Sequence, residues 1–343
     1  MLPDTAPVGV LLLQLGTPDS PDVKDVRRYL REFLSDPRVI DMPAPMRHLL
    51  LEAVILPFRP RRSAHAYRQI WTDAGSPLTI HSRALAGAVA ERLGDGYRVE
   101  LGMRYRHPSI AEAADRLMSA GCRQFIVLPL FPQYASSAGG SALAEALRVA
   151  ASMWNVPEVV AVSDFHDDPG YLRVVADIAR PLLDEFEPDH VLFSYHGIPE
   201  HHVRKADTGG AWCMEVDECC STITTANRSC YRAQAFATTR GIVAELGLGT
   251  PHSTSFQSRL AGKPWIGPFT DHEFDRLAAD GVRRLAVLTP SFTADCLETL
   301  EEIGIRGRRQ WLDAGGEDLL LVPCPNDDGR WAEAVADLVR ATG

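Results

Sequence analysis

The stretch VLFSYHGIPEHHVRKADTGGAWCMEVDECCSTITTANRSCYRAQ, residues 191–234, holds the features around which the rest of the chain is arranged. Its apolar opening, Val191-Leu192-Phe193, is typical of a buried strand, and Pro199 prevents that strand from continuing. His196 is therefore expected at the carboxyl end of a strand, where open α/β sheets bind their ligands. An imidazole in that place can accept protons near neutral pH or bind a metal, so His196 is the first candidate catalytic residue.

Four cysteines follow within the same stretch: Cys213, Cys219, Cys220 and Cys230. Their pattern, C-x5-C-C-x9-C, lacks the CxxC pairs that most zinc fingers contain. Four thiolates suit either a zinc ion or an iron–sulfur cluster of the 2Fe–2S type. The pattern therefore indicates a bound metal and leaves both alternatives open. Of the remaining cysteines, Cys122 and Cys324 adjoin apolar strands and are expected to be core thiols.

The overall composition limits the possible classes of protein. The chain has 343 residues, more than one typical hydrophobic core requires, so two domains are expected. Its net charge of −10 argues against a general nucleic-acid-binding surface. The first residues contain no basic region, and their apolar run is too short for a secretory signal or a membrane span. We therefore expect a cytoplasmic protein whose cysteines bind metal rather than form disulfides.

Strand-like apolar runs alternate with segments of helical period along the chain, and this alternation predicts βαβ units with parallel sheets. The predicted strands cover residues 8–15, 97–103, 124–130, 158–162, 190–193, 252–257, 284–289 and 318–322. The pattern restarts after about residue 164. We therefore expect two similar α/β domains, residues 1–160 and 161–343, with a seam near residues 155–165.

The local signals also predict where some helices begin. Ser20 is expected to be an N-cap, with Pro21 at the first helical position. A further helix is expected from Ser221 to Leu246. The tripeptide Glu200-His201-His202 follows a proline in what the pattern indicates is a loop, so its two histidines are weak candidates for a site.

The segment from Leu49 to Phe58, LLLEAVILPF, is apolar nearly all round and is followed by Arg59, Arg61 and Arg62. One interpretation is an ordinary buried helix. The other is an exposed apolar lip with a basic rim, able to meet a flat hydrophobic substrate or a bilayer surface.

Glu298 is the second candidate catalytic residue. One interpretation makes Asp295 the N-cap of a helix, with Glu298 reaching back as in a capping box. The other places Glu298 at the mouth of the second sheet near His196, with Glu302 on the same helical face one turn later. Such carboxylates could carry protons away from a site or deliver a divalent cation to it. The spacing alone does not decide between these interpretations.

A third group combines an arginine with aromatic side chains at or after strand ends of the first half: Tyr67, Arg104, Tyr105 and Tyr134. Such a combination suits a planar, carboxylated, apolar ligand. Surface loops of ordinary composition are the alternative interpretation.

With these residues identified, the chain resembles the ferrochelatases, enzymes that insert ferrous iron into a porphyrin. The motifs occur in order over nearly the whole chain: QLGTPD (14–19), YLREFLSD (29–36), GSPL (75–78), GMRY (102–105), PQY (132–134), FSYHGIP (193–199), FQS (256–258), PWIGP (264–268) and TADCLETL (293–300). The resemblance implies two Rossmann-like, chelatase-type domains with parallel sheets around a central porphyrin cleft. It also implies that the last helix, residues 329–340, packs back on the first domain.

The resemblance assigns roles residue by residue. The family's catalytic histidine falls on His196 and its catalytic glutamate on Glu298, and these two with Glu302 are implied to lie on the path of the substrate Fe²⁺. The implied porphyrin-pocket residues are Leu15, Tyr67, Arg104, Tyr105, Tyr134, Trp265 and Phe292. A pocket of this kind can hold the macrocycle bent, which exposes its nitrogens while two N–H protons leave.

Three features distinguish this chain within the resemblance: one substituted residue, one four-cysteine segment and one further substituted residue. Cys296 stands where many family members have a histidine, two residues before the glutamate. The four-cysteine segment is similar to that of some microbial ferrochelatases and implies a 2Fe–2S cluster on Cys213, Cys219, Cys220 and Cys230. Leu15 stands where the coproporphyrin-using branch typically has tyrosine, which implies protoporphyrin IX as substrate and protohaem as product.

Two other classes of function compete with this interpretation. One is a chelatase that uses cobalt or nickel, or that acts on coproporphyrin. The other is a tetrapyrrole-binding protein without catalysis, which would not need both His196 and Glu298. A peripheral contact with the inner face of a membrane through residues 49–58 is a further expectation.

Overall fold

The computed structural model describes residues 6–259 and 264–342. The chain divides into two compact units. The first unit comprises Met1–Leu130, Ser136–Asp164 and Asp327–Gly343, and the second comprises Phe131–Ala135 and Phe165–Asn326. Each unit is an α/β structure built on its own parallel sheet, which confirms the predicted fold class.

The strands are β1 (Val8–Gln14), β2 (Tyr97–Met103), β3 (Gln124–Pro129), β4 (Glu158–Ala161), β5 (His190–His196), β6 (His252–Gln257), β7 (Arg284–Leu288) and β8 (Asp318–Leu321). The first sheet has the order β2-β1-β3-β4 and the second the order β6-β5-β7-β8. The two sheets therefore share one topology, in which the first strand of each unit lies between the second and the third. Most predicted strands agree with these bounds to within one residue, whereas β5 continues to His196.

The α-helices are α1 (Val23–Ser35), α2 (Ala44–Leu49), α3 (Leu56–Ile70), α4 (Pro77–Leu93), α5 (Ile110–Ser119), α6 (Gly139–Ser152), α7 (Pro169–Phe186), α8 (Glu200–Ala206), α9 (Tyr231–Leu246), α10 (Thr270–Ala279), α11 (Arg308–Asp313) and α12 (Gly329–Thr342). Two π-helices, Leu50–Ile55 and Leu297–Gly307, interrupt this series. Helix α12 packs against α4 and β3 within the first unit.

The central strands β1 and β5 are buried along almost their whole length. Both are continuous apolar runs rather than alternating ones, because helices cover both faces of a parallel sheet. In the first unit, α5 packs on β1 and β2 while α6 packs on β3 and β4. In the second unit, α10 packs beside β6 and α7 beside β7. The apolar cores of the two sheets hold the carboxyl ends of the strands in place.

Several predicted helix starts are wrong, for local reasons. Helix α1 begins at Val23 with Asp22 as its N-cap residue, since the Ser20 hydroxyl instead donates a hydrogen bond to Asp25 at 2.7 Å. Helix α8 occupies the segment of His201 and His202 that was expected to be a loop.

Helix α9 begins at Tyr231, ten residues later than predicted, and turns occupy the chain before it. The Asp207 carboxylate accepts N–H groups from Gly209, Gly210, Trp212 and Cys213. The Asn227 side chain accepts the Thr224 N–H and donates to the carbonyls of Cys219 and Thr222. Such side-chain bonds compete with helix formation and keep residues 207–230 non-helical.

The apolar segment 49–58 is not an ordinary buried helix. It contains the first π-helix, and only Leu51 and Leu56 within it are buried. Leu49, Val54 and Phe58 are 67%, 55% and 75% exposed. The interpretation of an exposed apolar surface is therefore the one that the structure supports. Across residues 6–259 and 264–342, no helix combines the length and the apolar character needed to cross a membrane.

Candidate active site

His196 is the last residue of β5, at the point where the order of the second sheet changes direction. Ligands of open α/β sheets bind beyond the carboxyl ends of strands at such a switch point. The side chain is half-buried, and its Nδ1 lies 2.6 Å from the carbonyl oxygen of Gly197. A carbonyl can only accept, so this contact places the proton on Nδ1 and leaves Nε2 able to accept a proton.

Two aromatic side chains of the implied pocket lie beside this histidine within the second unit. The Phe292 ring stands edge-on to the imidazole, with the ring centroids 6.3 Å apart. Trp265 pairs with Pro199 across a short bridge, and its ring covers Gly197. A Cβ atom on Gly197 would come within 3.2 Å of the indole, so this position requires glycine for close packing. The structure therefore brings His196, Phe292 and Trp265 together.

Glu298 lies in the first turn of the second π-helix, Leu297–Gly307. The cap of this helix is Cys296, whose N–H donates to the Thr299 hydroxyl at 3.0 Å. Asp295 does not cap it: the Asp295 carboxylate accepts hydrogen bonds from the Thr299 hydroxyl and the Asn326 amide. The capping-box interpretation of Asp295 and Glu298 is therefore wrong, and the Glu298 carboxylate has no capping role. π-helical turns are rare in proteins, and those that occur often lie at functional sites.

Glu302, one turn along the same π-helix, is a partly buried carboxylate that accepts two hydrogen bonds from Ser258. Ser258 donates both its N–H, at 2.9 Å, and its hydroxyl, at 2.5 Å, to the two carboxylate oxygens. Burial raises the pKa of Glu302, and the charge of Glu298 acts in the same direction, while the Ser258 hydroxyl and His196 act against them. His196 and Glu298 are therefore close enough to Glu302 to influence its pKa, and the net effect is to raise it.

Glu302 also lines an open pocket of about 120 Å³ within the second unit. Its other polar walls include Ser258, Asp271, Arg306 and Gln310. The pocket connects this partly buried carboxylate with solvent. A proton reaching Glu302 could therefore leave through a polar opening.

Gln257 is a residue of this site to which the sequence analysis assigned no role. Its side chain accepts the Ser194 hydroxyl at 2.7 Å and donates to the Glu298 carbonyl at 2.7 Å. Its own carbonyl accepts the Gly197 N–H at 2.8 Å. Gln257 lies opposite His196 in the register of β5 and β6, and it joins the end of β5 to the start of the π-helix. It was quoted only as part of the FQS motif, because pairing across strands cannot be seen in a sequence.

In the first unit, Arg104 and Tyr105 form a buried polar network with Asp36. The Arg104 guanidinium donates to Asp36 at 2.8 Å and to Ser141 at 2.7 Å, and the Tyr105 hydroxyl donates to Asp36 at 2.9 Å. Burial would raise the pKa of Asp36, but hydrogen bonds from Ser141, Arg38 and Tyr105 and the charge of Arg104 lower it overall. Asp36 and Ser141 were missed by the sequence analysis because both lie far from Arg104 along the chain.

The other expected pocket residues differ in their surroundings. Leu15 is partly exposed at the turn after β1, and its carbonyl accepts the Tyr105 N–H at 2.9 Å. Tyr67 is buried and packs edge-on against Tyr29 and Trp71. Tyr134 belongs to the second unit, where its N–H donates to the Gln234 side chain at 2.6 Å.

The four clustered cysteines are all buried. The sulfurs of Cys219 and Cys220 lie 3.8 Å apart, and the Cys230 thiol interacts with both Cys213 and Cys220. Burial raises the pKa of Cys213, and the Cys230 hydrogen bond together with burial raises that of Cys220. In the part of the chain that the structure describes, no three of these sulfurs all lie within 4.8 Å of one another. The thiols are therefore neighbours, but the structure does not show an assembled metal cluster.

Cys122, Cys296 and Cys324 are also buried. Both Cys122 and Cys324 are core thiols, as expected, although the Cys324 sulfur lies 3.6 Å from the Thr289 hydroxyl. Cys296, which stands where the resemblance implies histidine, serves as the cap of the second π-helix, and burial followed by the charge of Glu298 raises its pKa.

Comparison with solved structures defines the class of the fold. Two structures of SirB from Bacillus subtilis, one with Fe³⁺ and one of the sirohydrochlorin chelatase SirB in complex with cobalt, each match with a TM-score of 0.53. The matches cover 98% of this chain and 95% of each SirB chain, at 15% and 10% identity. The chain therefore has the fold of the chelatases.

Sequence comparison specifies the family. The family model described as Ferrochelatase matches residues 7–342. Proteins named Ferrochelatase from Coxiella burnetii and Legionella pneumophila are 48% and 46% identical to this chain, over 97% and 96% of its length and 93% and 98% of theirs. A third from Opitutus terrae is 46% identical over 96% of both chains. The chain belongs to the ferrochelatase family.

We expect Glu302→Gln to flatten the dependence of stability on pH. Burial raises the pKa of Glu302 above its unfolded value, so its contribution to stability is full below the unfolded pKa and is lost as pH rises through the folded pKa. Glutamine cannot ionise but can still accept the Ser258 N–H. The melting temperature of the variant should therefore fall less than that of the wild type between about pH 5 and about pH 8.

Glu301→Gln is the matched control on the same helix, because Glu301 pairs with Arg306 rather than with Ser258. If the profiles of the wild type and Glu302→Gln run parallel, Glu302 is not the group responsible.

Proposed function

We propose that this protein is a ferrochelatase that inserts Fe²⁺ into protoporphyrin IX, releases two protons and so forms protohaem in the terminal step of haem biosynthesis. Membership of the ferrochelatase family supports the reaction class. The observation that carries the assignment of residues is the grouping of His196, Glu298 and Glu302 at the end of strand β5. This group contains proton acceptors of two kinds, as a reaction that releases two protons needs.

The proton transfers follow from the hydrogen bonds of each group. His196 keeps its proton on Nδ1 toward the Gly197 carbonyl, so Nε2 can accept a pyrrole proton. The Glu298 carboxylate is free of a capping role, and burial raises the pKa of Glu302 one turn further along the same helix. A proton accepted at Glu298 can thus pass to Glu302 and leave through the polar pocket. The aromatic rings of Phe292 and Trp265 beside His196 provide a surface for the bent macrocycle.

We expect His196→Ala to abolish iron insertion without unfolding the protein, because the residue ends its strand and its side chain is only half-buried. Glu298→Gln should lower kcat by about 100-fold or more, the scale of a positioned proton-transfer group. Steady-state insertion of Fe²⁺ into protoporphyrin IX under anaerobic conditions measures both effects.

The matched controls are His252→Ala, an exposed histidine of the neighbouring strand, and Glu301→Gln, on the same π-helix. Both should keep most of the activity. Full activity of Glu298→Gln with only a lower melting temperature would contradict its catalytic role. The same assay with Co²⁺ or Ni²⁺ tests the alternative metals, and porphyrin binding without insertion of any metal would support the non-catalytic alternative.

We propose protoporphyrin IX, rather than coproporphyrin III, as the substrate because Leu15 is apolar and partly exposed at the switch point of the first sheet. A leucine there offers no hydrogen bond to an additional propionate. The wild type should therefore show a higher kcat/KM for protoporphyrin IX, and Leu15→Tyr should reduce that preference. Leu15→Met is the matched control of similar volume. A wild-type preference for coproporphyrin III would refute this proposal.

We further propose that Cys213, Cys219, Cys220 and Cys230 hold a 2Fe–2S cluster, remote from the iron being inserted. A 2Fe–2S cluster is bound by four cysteine thiolates, two on each iron, so the four sulfurs need not surround a single atom. The four buried thiols lie next to one another in pairs, which fits this arrangement. A zinc ion needs all four sulfurs around one point. The Arg232 guanidinium donates to the Cys220 sulfur at 3.2 Å and can offset thiolate charge. When bound, such a cluster supplies one-electron redox chemistry and cross-links the segment.

Protein purified anaerobically should be red-brown, with about two iron and two sulfide per chain. Cys→Ser at any of the four positions should remove the colour and lower the melting temperature, because metal binding and folding are coupled. Cys122→Ser and Cys324→Ser are the matched controls for a buried thiol and should keep the cluster. A colourless protein with one zinc per chain would exclude it.

We also propose a peripheral contact with an anionic lipid surface through residues 49–58. The exposed side chains of Leu49, Val54 and Phe58 supply apolar area, and the exposed Arg61 and Arg62 follow in α3. An apolar surface beside basic residues is suited to an anionic bilayer. The cytoplasmic location expected from the sequence stays a prediction.

Cosedimentation with vesicles tests this contact. The wild type should bind vesicles that contain phosphatidylglycerol more strongly than neutral ones, and the variant Leu49→Ser/Val54→Ser/Phe58→Ser should lose most of the binding. Trp154→Ser is the control, since Trp154 is 98% exposed elsewhere on the first unit. Equal binding by the triple variant and the wild type would show that this surface does not contact lipid.

A further inference from the structure

On the side that faces strand β7, the backbone N–H of His196 is bonded by a side chain rather than by a neighbouring strand. Strand β7 pairs with β5 only as far as the Phe193–Leu288 pair, so this ladder ends before His196. In the turn after β7, the Ser291 hydroxyl accepts the His196 N–H at 3.0 Å. The next residue, Phe292, stands edge-on to the imidazole. The turn of Ser291 and Phe292 therefore contacts both the backbone and the ring of the catalytic histidine.

The Tyr231 hydroxyl faces this same serine. Tyr231 is buried, and its phenol is close enough to the Ser291 hydroxyl for a side-chain interaction. Yet among the residues that the structure describes, this hydroxyl has no partner within ordinary hydrogen-bond geometry. A buried polar group that lacks a full hydrogen bond is costly, so a small shift that closes the bond to Ser291 would be favourable.

Tyr231 is also the first residue of α9, directly after Cys230, which caps that helix. Its other neighbour, Arg232, donates to the Cys220 sulfur at 3.2 Å and to the Gly267 carbonyl at 3.3 Å. Beside Gly267, the Ile266 N–H donates to the Ile198 carbonyl, two residues beyond His196. The first turn of α9 is thus bonded to the cysteine segment on one side and to the surroundings of His196 on the other.

We propose that Tyr231 and Ser291 are positioning residues for His196, and that the order of the cysteine segment sets the placement of the catalytic imidazole through them. A ligand bound by the cysteines fixes Cys230 and with it the start of α9. Tyr231 is then held with its hydroxyl against Ser291, and Ser291 in turn holds the His196 N–H. The effect on the reaction rests on the proposed function, in which His196 accepts a proton.

The test compares Ser291→Ala, Ser291→Thr and Tyr231→Phe with the wild type. Tyr195→Phe is the matched control, because Tyr195 is also buried and adjoins His196, but its hydroxyl bonds Thr239. Each protein is labelled with ¹⁵N-histidine, and the amide and ring resonances of His196 are assigned by their loss in His196→Gln. Iron and sulfide contents are measured in every variant. Steady-state kinetics with Fe²⁺ and protoporphyrin IX give kcat and KM separately.

Ser291→Ala should move the His196 amide resonance and lower kcat about 10-fold or more, with KM changed less than about twofold, since small misplacements of a reacting group affect the rate more than binding. Ser291→Thr keeps a hydroxyl and should restore both. Tyr231→Phe should have a smaller effect in the same direction while retaining iron and sulfide. Cys230→Ser should move the same His196 resonances, and Cys122→Ser should not.

Unchanged His196 resonances in Ser291→Ala and Tyr231→Phe would overturn the proposal, as would equal effects of Tyr231→Phe and Tyr195→Phe. An unchanged His196 spectrum in Cys230→Ser would overturn the link to the cysteines. If the wild type inserts no iron, the proposed function is wrong, and the histidine resonances still decide whether these residues position His196.

Discussion

The candidate site of the second unit depends on one feature of its parallel sheet, the topological switch point at the carboxyl end of β5. The strands on either side of β5 connect in opposite directions, so the end of this strand is the place where the sheet opens. Backbone groups there cannot all be satisfied by strand pairing, and buried backbone groups require partners. Side chains supply them: Ser291 accepts the His196 N–H, and Gln257 bonds the start of the π-helix. The bonds that close the sheet also orient the site.

Two carboxylates show how their surroundings shift the pKa of the same kind of group in opposite directions. Asp36 in the first unit accepts hydrogen bonds from Arg104, Tyr105 and Ser141, which lower its pKa and keep it ionised within the core. Glu302 in the second unit has Ser258 as its hydrogen-bond donor, and burial next to Glu298 raises its pKa. Direct hydrogen bonds from an arginine, a tyrosine and a serine outweigh burial at Asp36, whereas at Glu302 the Ser258 hydrogen bonds and the more distant charge of Arg306 do not.

The cysteine segment is organised by ordinary hydrogen bonds as well as by its thiols. The Asp207 and Asn227 side chains bond the backbone of the surrounding turns and bring the four cysteines into the interior. Because the segment ends directly at the first residue of α9, its order and that of the helix start are physically linked. The segment is therefore part of the second unit's architecture rather than an appendage to it.

The sequence by itself determined the strands, the α/β class, the position of His196 and the clustering of four cysteines, because these depend on local runs of residues and on spacing. It could not determine the π-helical form of residues 297–307, which left Glu298 without a capping role, or the late start of α9. It also missed Gln257, Ser291 and Asp36. Their roles arise from contacts between residues distant along the chain, and only the tertiary structure brings those partners together.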